Sequence, residues 1–152
     1  MRVIAGKYKS IKLNSVDGMN TRPTTDKIKE NLFNMLDCSI NAIKVIRSNI
    51  EKCRIPNSEY DIYRNDYKRA LKILGKKGEK FDLIFLDPPY DKGLINQAIS
   101  SILENDVCSD GCLIVCEKSV DEVVESKFEK LELVKEKKYG ITNIIIFEYM
   151  EN

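Results

Sequence analysis

Asp87-Pro88-Pro89-Tyr90 follows directly on the apolar run Phe81-Asp82-Leu83-Ile84-Phe85-Leu86, and its residue types define a chemistry before any fold is assumed. Proline holds φ at about −65° and has no amide N–H, so the carbonyls of such a turn have few internal donors to satisfy them. A carboxylate beside a carbonyl suits a group with two N–H bonds, and an exocyclic base amine is such a group. Its lone pair is delocalised into the ring. Two acceptors, the Asp87 carboxylate and the Pro88 carbonyl, would hold both N–H bonds and draw the nitrogen toward sp³, while Tyr90 offers a ring for stacking. A base handled this way must be unpaired or extruded from its helix, with its nitrogen in line with an electrophile. At average usages of about 5% per residue type, this tetrapeptide arises by chance in roughly one chain in a thousand of this length, so it is read as a functional signal.

The elements around it explain its address. Phe81–Leu86 has the composition of a buried strand, and open α/β sheets bind ligands beyond the carboxyl ends of their strands. Apolar spacing predicts helices with Ile28, Leu32, Met35 and Leu36 on one face, then from Ser39 to about Cys53, from Tyr67 to Leu74, and from Leu94 to Leu103. Strands are predicted at Tyr60–Tyr63, Cys112–Cys116, Leu131–Lys135 and Asn143–Phe147, with Gly75-Lys76-Lys77-Gly78 as a polar turn. Alternating strands and helices point to βαβ units and a mostly parallel sheet. The last two strands flank Lys137-Lys138-Tyr139-Gly140 closely enough for an antiparallel hairpin, and a small hairpin is expected around Gly6-Lys7.

Length and composition narrow the class. With 152 residues, 43% hydrophobic and 32% charged, the chain fits a single soluble domain. No stretch is long and apolar enough to span a membrane, and the opening residues lack a signal peptide's apolar region, so a cytoplasmic location is expected. The absence of histidine removes the commonest general base, and with it Ser/His or Cys/His nucleophilic dyads. Cys38, Cys53, Cys108, Cys112 and Cys116 form no CxxC pair, so they read as free thiols and no metal site is expected. Net charge is +1, but Arg2, Lys7, Lys9, Lys12, Arg22, Lys27 and Lys29 face only Asp17 and Asp26, a local excess that suits phosphates as well as it suits a solvated face.

The chain resembles the RsmD-type 16S ribosomal RNA guanine-N2 methyltransferases. The resemblance rests on Met1-Arg2-Val3-Ile4-Ala5-Gly6-Lys7-Tyr8-Lys9, on the block from Thr21-Arg22-Pro23-Thr24-Thr25 to Met35-Leu36, on Phe81 to Gly93, and on Lys137-Lys138-Tyr139-Gly140. It implies a Rossmann-like class I methyltransferase fold in one domain, residues 1–152, with a basic arm at 1–24. It also implies S-adenosylmethionine as cofactor, 16S ribosomal RNA or the small ribosomal subunit as partner, and a monomer. Carried over by position, Asp87, Pro88, Pro89 and Tyr90 form the target-amine site. Asp37, Asp66 and Asp87 face the cofactor, with Asp37 on the ribose hydroxyls and Asp66 near the adenine. Arg2, Lys7, Lys9, Arg22 and Thr24 are the RNA-binding candidates. For Asp66 the alternative is a plain cap on the helix that starts at Tyr67. For the activity, the alternatives are adenine-N6 methylation of DNA or RNA, against which the basic arm and Arg22-Pro23-Thr24 speak, and a non-catalytic RNA-binding relative.

The family's glycine-rich cofactor loop has no counterpart. The glycines at 6, 18, 75, 78, 93, 111 and 140 include no GxG pair, and backbone approaches a nucleotide closely only where side chains are absent. The gap falls between Leu36 and Asp37, where a strand, the loop, a helix and most of a second strand would stand, one βαβ unit being about 30 residues or more. Either the gene product carries an internal deletion, or the sequence joins two pieces of a longer chain. The second is favoured, because every flanking motif is intact and a sheet without its centre would hardly fold.

Overall fold

The computed structural model describes residues 8–14, 40–89, 92–125 and 127–151, which fall into two compact units, 8–14 with 40–64, and 65–151. In the first unit, α1 (Ile40–Cys53) begins one residue after the expected opening at Ser39 and is followed by a 3₁₀ turn at Asn57–Glu59. The segment 8–14 is fastened to the last turns of α1. The Asn14 amide donates to Asn49 Oδ1 at 2.6 Å, Asn49 Nδ2 donates back to the Asn14 carbonyl at 3.0 Å, and Lys52 Nζ donates to Asn14 Oδ1 at 2.5 Å. Lys9 is exposed on the turn at 8–10. Gly6-Lys7, the expected centre of the N-terminal hairpin, and the helix carrying Ile28 to Leu36 lie outside the described residues.

Residues 60–63 differ from expectation. Tyr60 and Ile62 are half-buried while Asp61 and Tyr63 are exposed, so the alternation of a strand is present, and Tyr60 has extended φ and ψ, but the segment belongs to no ladder. Extended backbone becomes a strand only beside a partner in register.

The second unit is built on four strands, β1 (Phe81–Leu86), β2 (Cys108–Ser119), β3 (Leu131–Tyr139) and β4 (Thr142–Tyr149), in the order β1-β2-β4-β3. β1 and β2 run parallel, with Leu83 beside Leu113 and Leu86 beside Cys116, while β2–β4 and β3–β4 are antiparallel. The C-terminal hairpin expected from the sequence is present, turning at Gly140, whose φ of 62° is one that side chains disfavour. β2 is longer than its apolar run. Its first residues contain a bulge, where Gly111 has φ 76°, and Ser109 Oγ donates to Phe81 O at 2.9 Å and to Asp82 Oδ1 at 2.6 Å across the irregularity.

Helix α2 (Tyr67–Lys76) precedes β1, and α3 (Leu94–Glu104) connects β1 to β2. α3 directs Ile95, Ile99 and Ile102 into the core, all 0% exposed, against Ile84, Leu86, Ile114, Cys116 and Phe147 of the sheet. Burial of each such side chain stabilises by about 1.5–3 kcal/mol relative to exposure.

Candidate functional site

The end of β1 carries the acid-proline turn. Asp87 is half-buried immediately after β1, Pro88 is buried and Pro89 exposed. Asp66 stands at the N-terminus of α2. Its Oδ1 accepts the Lys68 and Arg69 amides at 3.0 and 3.3 Å, so it caps the helix. The remainder of the carboxylate is exposed to solvent, so capping and contact with a ligand are compatible. Lys9 lies in the other unit. Arg2, Lys7, Arg22, Thr24, Asp37 and Tyr90 lie outside the described residues.

Glu117 is an acid the sequence reading passed over. Leu86 pairs with Cys116, and Asp87 and Glu117 are the next residues along the two chains. Side chains alternate along a strand, which puts Glu117 on the face of Val115. Glu117 is only 7% exposed, which is uncommon for a glutamate. The sequence signal was there, since Glu117 closes the run Cys112 to Cys116 as Asp87 closes Phe81 to Leu86. What could not be read was that the two runs are neighbours in matched register.

Two half-buried or buried carboxylates at one strand end, next to a proline carbonyl, form an acceptor-rich corner suited to an N–H₂ group. The thiols are elsewhere. Cys108, Cys112 and Cys116 are free and buried along β2. Burial pushes the Cys116 thiol up to about 12. Cys108 is raised by its hydrogen bond with Cys112 and by burial, while the same hydrogen bond lowers Cys112. Among the described residues, no helix is long and apolar enough to cross a membrane.

The donor side is different. Whether the described residues could cradle a nucleoside cofactor turns on the glycines. Gly78, Gly93, Gly111 and Gly140 occupy positive-φ positions, and Gly75 lies against the backbone of Asn105. No two of them form a GxG pair, so among the described residues no glycine pair brings main chain against a ligand.

The sheet order, its parallel pair with an antiparallel hairpin at one edge, and the acid-proline turn at a strand end define a Rossmann-like class I methyltransferase fold. Escherichia coli yhhF shares it, with a TM-score of 0.77 over 100% of this chain and 99% of that one at 19% identity. The chain belongs to the family described as conserved hypothetical protein 95, the RsmD-type family, whose model matches residues 1–42 and 35–148. Its relatives include YlbH of Bacillus subtilis, 29% identical over 97% of this chain and 98% of the relative. They also include the ribosomal RNA small subunit methyltransferase D of Haemophilus influenzae, 27% identical over 97% of this chain and 93% of that one. Both alignments run over 182 positions, so with 152 residues here at least 30 positions of each alignment face no residue of this chain.

Proposed function

We propose that this protein methylates the exocyclic N2 amine of a guanine in 16S ribosomal RNA, as a cytoplasmic monomer, with S-adenosylmethionine supplying the methyl group. The observation that carries the reading is the corner formed by Asp87, Pro88 and Glu117 at the end of a parallel strand pair, in a chain whose named relative is a small-subunit RNA methyltransferase. Asp87 accepts one N–H of the amine and the Pro88 carbonyl the other, which localises the lone pair on nitrogen. Glu117 holds the polar edge of the base. Tyr90 stacks on the ring, and Arg2, Lys7, Lys9, Arg22 and Thr24 contact the phosphate backbone. Asp66 and Asp37 belong to the cofactor side.

The residues that cradle the donor belong, in this reading, to a segment between Leu36 and Asp37 that the sequence omits. The family match supports this, because its two pieces overlap at 35–42, and the relatives' alignments are longer than this chain. A second reading, a non-catalytic RNA-binding relative, is favoured by the same glycine inventory.

Transfer from labelled S-adenosylmethionine to 16S ribosomal RNA, followed by digestion to nucleosides, tests the proposal. Label in N2-methylguanosine is expected. Label in N6-methyladenosine would move the target to adenine. RNA binding without label or cofactor affinity would establish the non-catalytic reading.

A further inference from the structure

Beyond Ser119 the segment Glu122–Glu125 lies along one face of the β3–β4 hairpin and borders a half-open cavity of about 180 Å³. Register explains its walls: Lys118, Ile145, Phe147, Leu133 and Glu136 share that face through the pairings Cys116–Ile145, Leu133–Phe147 and Glu136–Ile145. Val124 packs on the core, and the Glu125 amide donates to Asn96 Oδ1 at 3.1 Å, which ties the segment to α3.

Glu122 is the anomaly. It is 7% exposed, and neither carboxylate oxygen has a hydrogen-bond partner among the described residues. The nearby cation turns two of its three N–H groups to main chain, Lys118 Nζ donating to the Ser119 carbonyl at 3.1 Å and the Glu122 carbonyl at 2.5 Å. Glu136 Oε1 accepts from Asn143 Nδ2 at 2.5 Å. A buried carboxylate without donors is costly, and the cost is offset when a ligand brings them. Two parallel N–H groups on a planar cation match both oxygens, and an apolar stem matches Val124, Leu133, Ile145 and Phe147. Glu122, Glu125 and Glu136 together repel phosphate, which disfavours RNA at this opening. Leu133 of the lining belongs to β3, an exposed strand at the end of the sheet order, beside which an extended segment can lie.

We propose that this cavity binds an arginine side chain presented by a basic protein segment. The site adjoins the acceptor corner in sequence, Lys118 following Glu117, but lies on the opposite face of β2, and it does not rest on the methyl-transfer reading.

The test is a titration of the full chain with N-acetylarginine amide, followed by amide NMR and by thermal unfolding, alongside Glu122→Gln and Glu136→Gln. Saturable shifts confined to residues near 118, 122–125 and 133–136 are expected, with a rise in Tm. Glu122→Gln is expected to unfold at a higher temperature than the parent and to bind at least tenfold more weakly, and Glu136→Gln several-fold more weakly. Should Glu122→Gln fail to fold, Glu136→Gln decides. An equal response to N-acetylnorleucine amide, unchanged arginine binding in the variants, or saturation by guanosine monophosphate in place of arginine would overturn the proposal.

Discussion

Asp87 ends a strand whose last three residues are buried, so its backbone is held firmly while its carboxylate reaches the sheet's rim. Replacing it with alanine removes an acceptor without opening the core. Asp87→Ala is therefore expected to lower methyl transfer by about 100- to 1000-fold, the usual effect of losing one preorganised hydrogen bond, with cofactor affinity little changed. Single-turnover rates and calorimetry separate the two, and a collapse of cofactor affinity would contradict the assignment. This residue was legible because acid, proline and strand end are contiguous in sequence. Glu117 was not, because its significance comes from a neighbouring strand. The thiols make a second prediction at this scale. Cys116 titrates near 9.0 when unfolded and about 12 when folded, so its contribution to stability is full below pH 9 and is lost as pH rises toward 12. Urea unfolding across that range should show stability falling, with a shallower fall in Cys116→Ala.

Among the elements, α2 carries two residues whose roles can be separated by substitution. Asp66→Ala removes two capping hydrogen bonds and should cost about 0.5–2 kcal/mol, whereas Asp66→Asn keeps a capping oxygen and should leave stability nearly unchanged. If Asp66 also serves the cofactor, both variants lose affinity; if it is only a cap, neither does once folding is allowed for. Gly75 lies within the last turn of α2, where alanine would ordinarily stabilise by up to about 1 kcal/mol. Here a Cβ would clash with the Asn105 carbonyl oxygen at the end of α3, so Gly75→Ala is expected to destabilise by about 1–3 kcal/mol, measured by urea denaturation. The bounds of α3 and β1 were readable from periodicity. Those of β2 were not, since Asp110-Gly111 looks like a turn and the structure absorbs it as a bulge within the strand. Tyr60–Tyr63 was read as a strand from its alternation alone, which cannot supply a partner.

At the scale of the whole molecule, β1 is the first strand of the described sheet although it is parallel, buried and apolar, features of a strand with neighbours on both sides. This agrees with the proposal that a strand-bearing segment belongs between Leu36 and Asp37. The mass of the intact gene product checks that proposal: a value above 17.5 kDa by one βαβ unit is expected, and 17.5 kDa itself would mean a true deletion. Family and fold were legible from sequence blocks, whereas the packing of the hairpin over its cavity required coordinates, because Glu122 has no partner in the sequence to betray its burial. The central claim is that this protein places a methyl group on a guanine amine of small-subunit ribosomal RNA through Asp87. It is tested most directly by nucleoside mapping of 16S ribosomal RNA from cells lacking the gene, and from the same cells given either the complete wild-type gene or its Asp87→Ala variant. One N2-methylguanosine is expected to vanish on deletion and to return with the wild-type gene but not with the variant; an undiminished mark in the deleted strain would contradict the account.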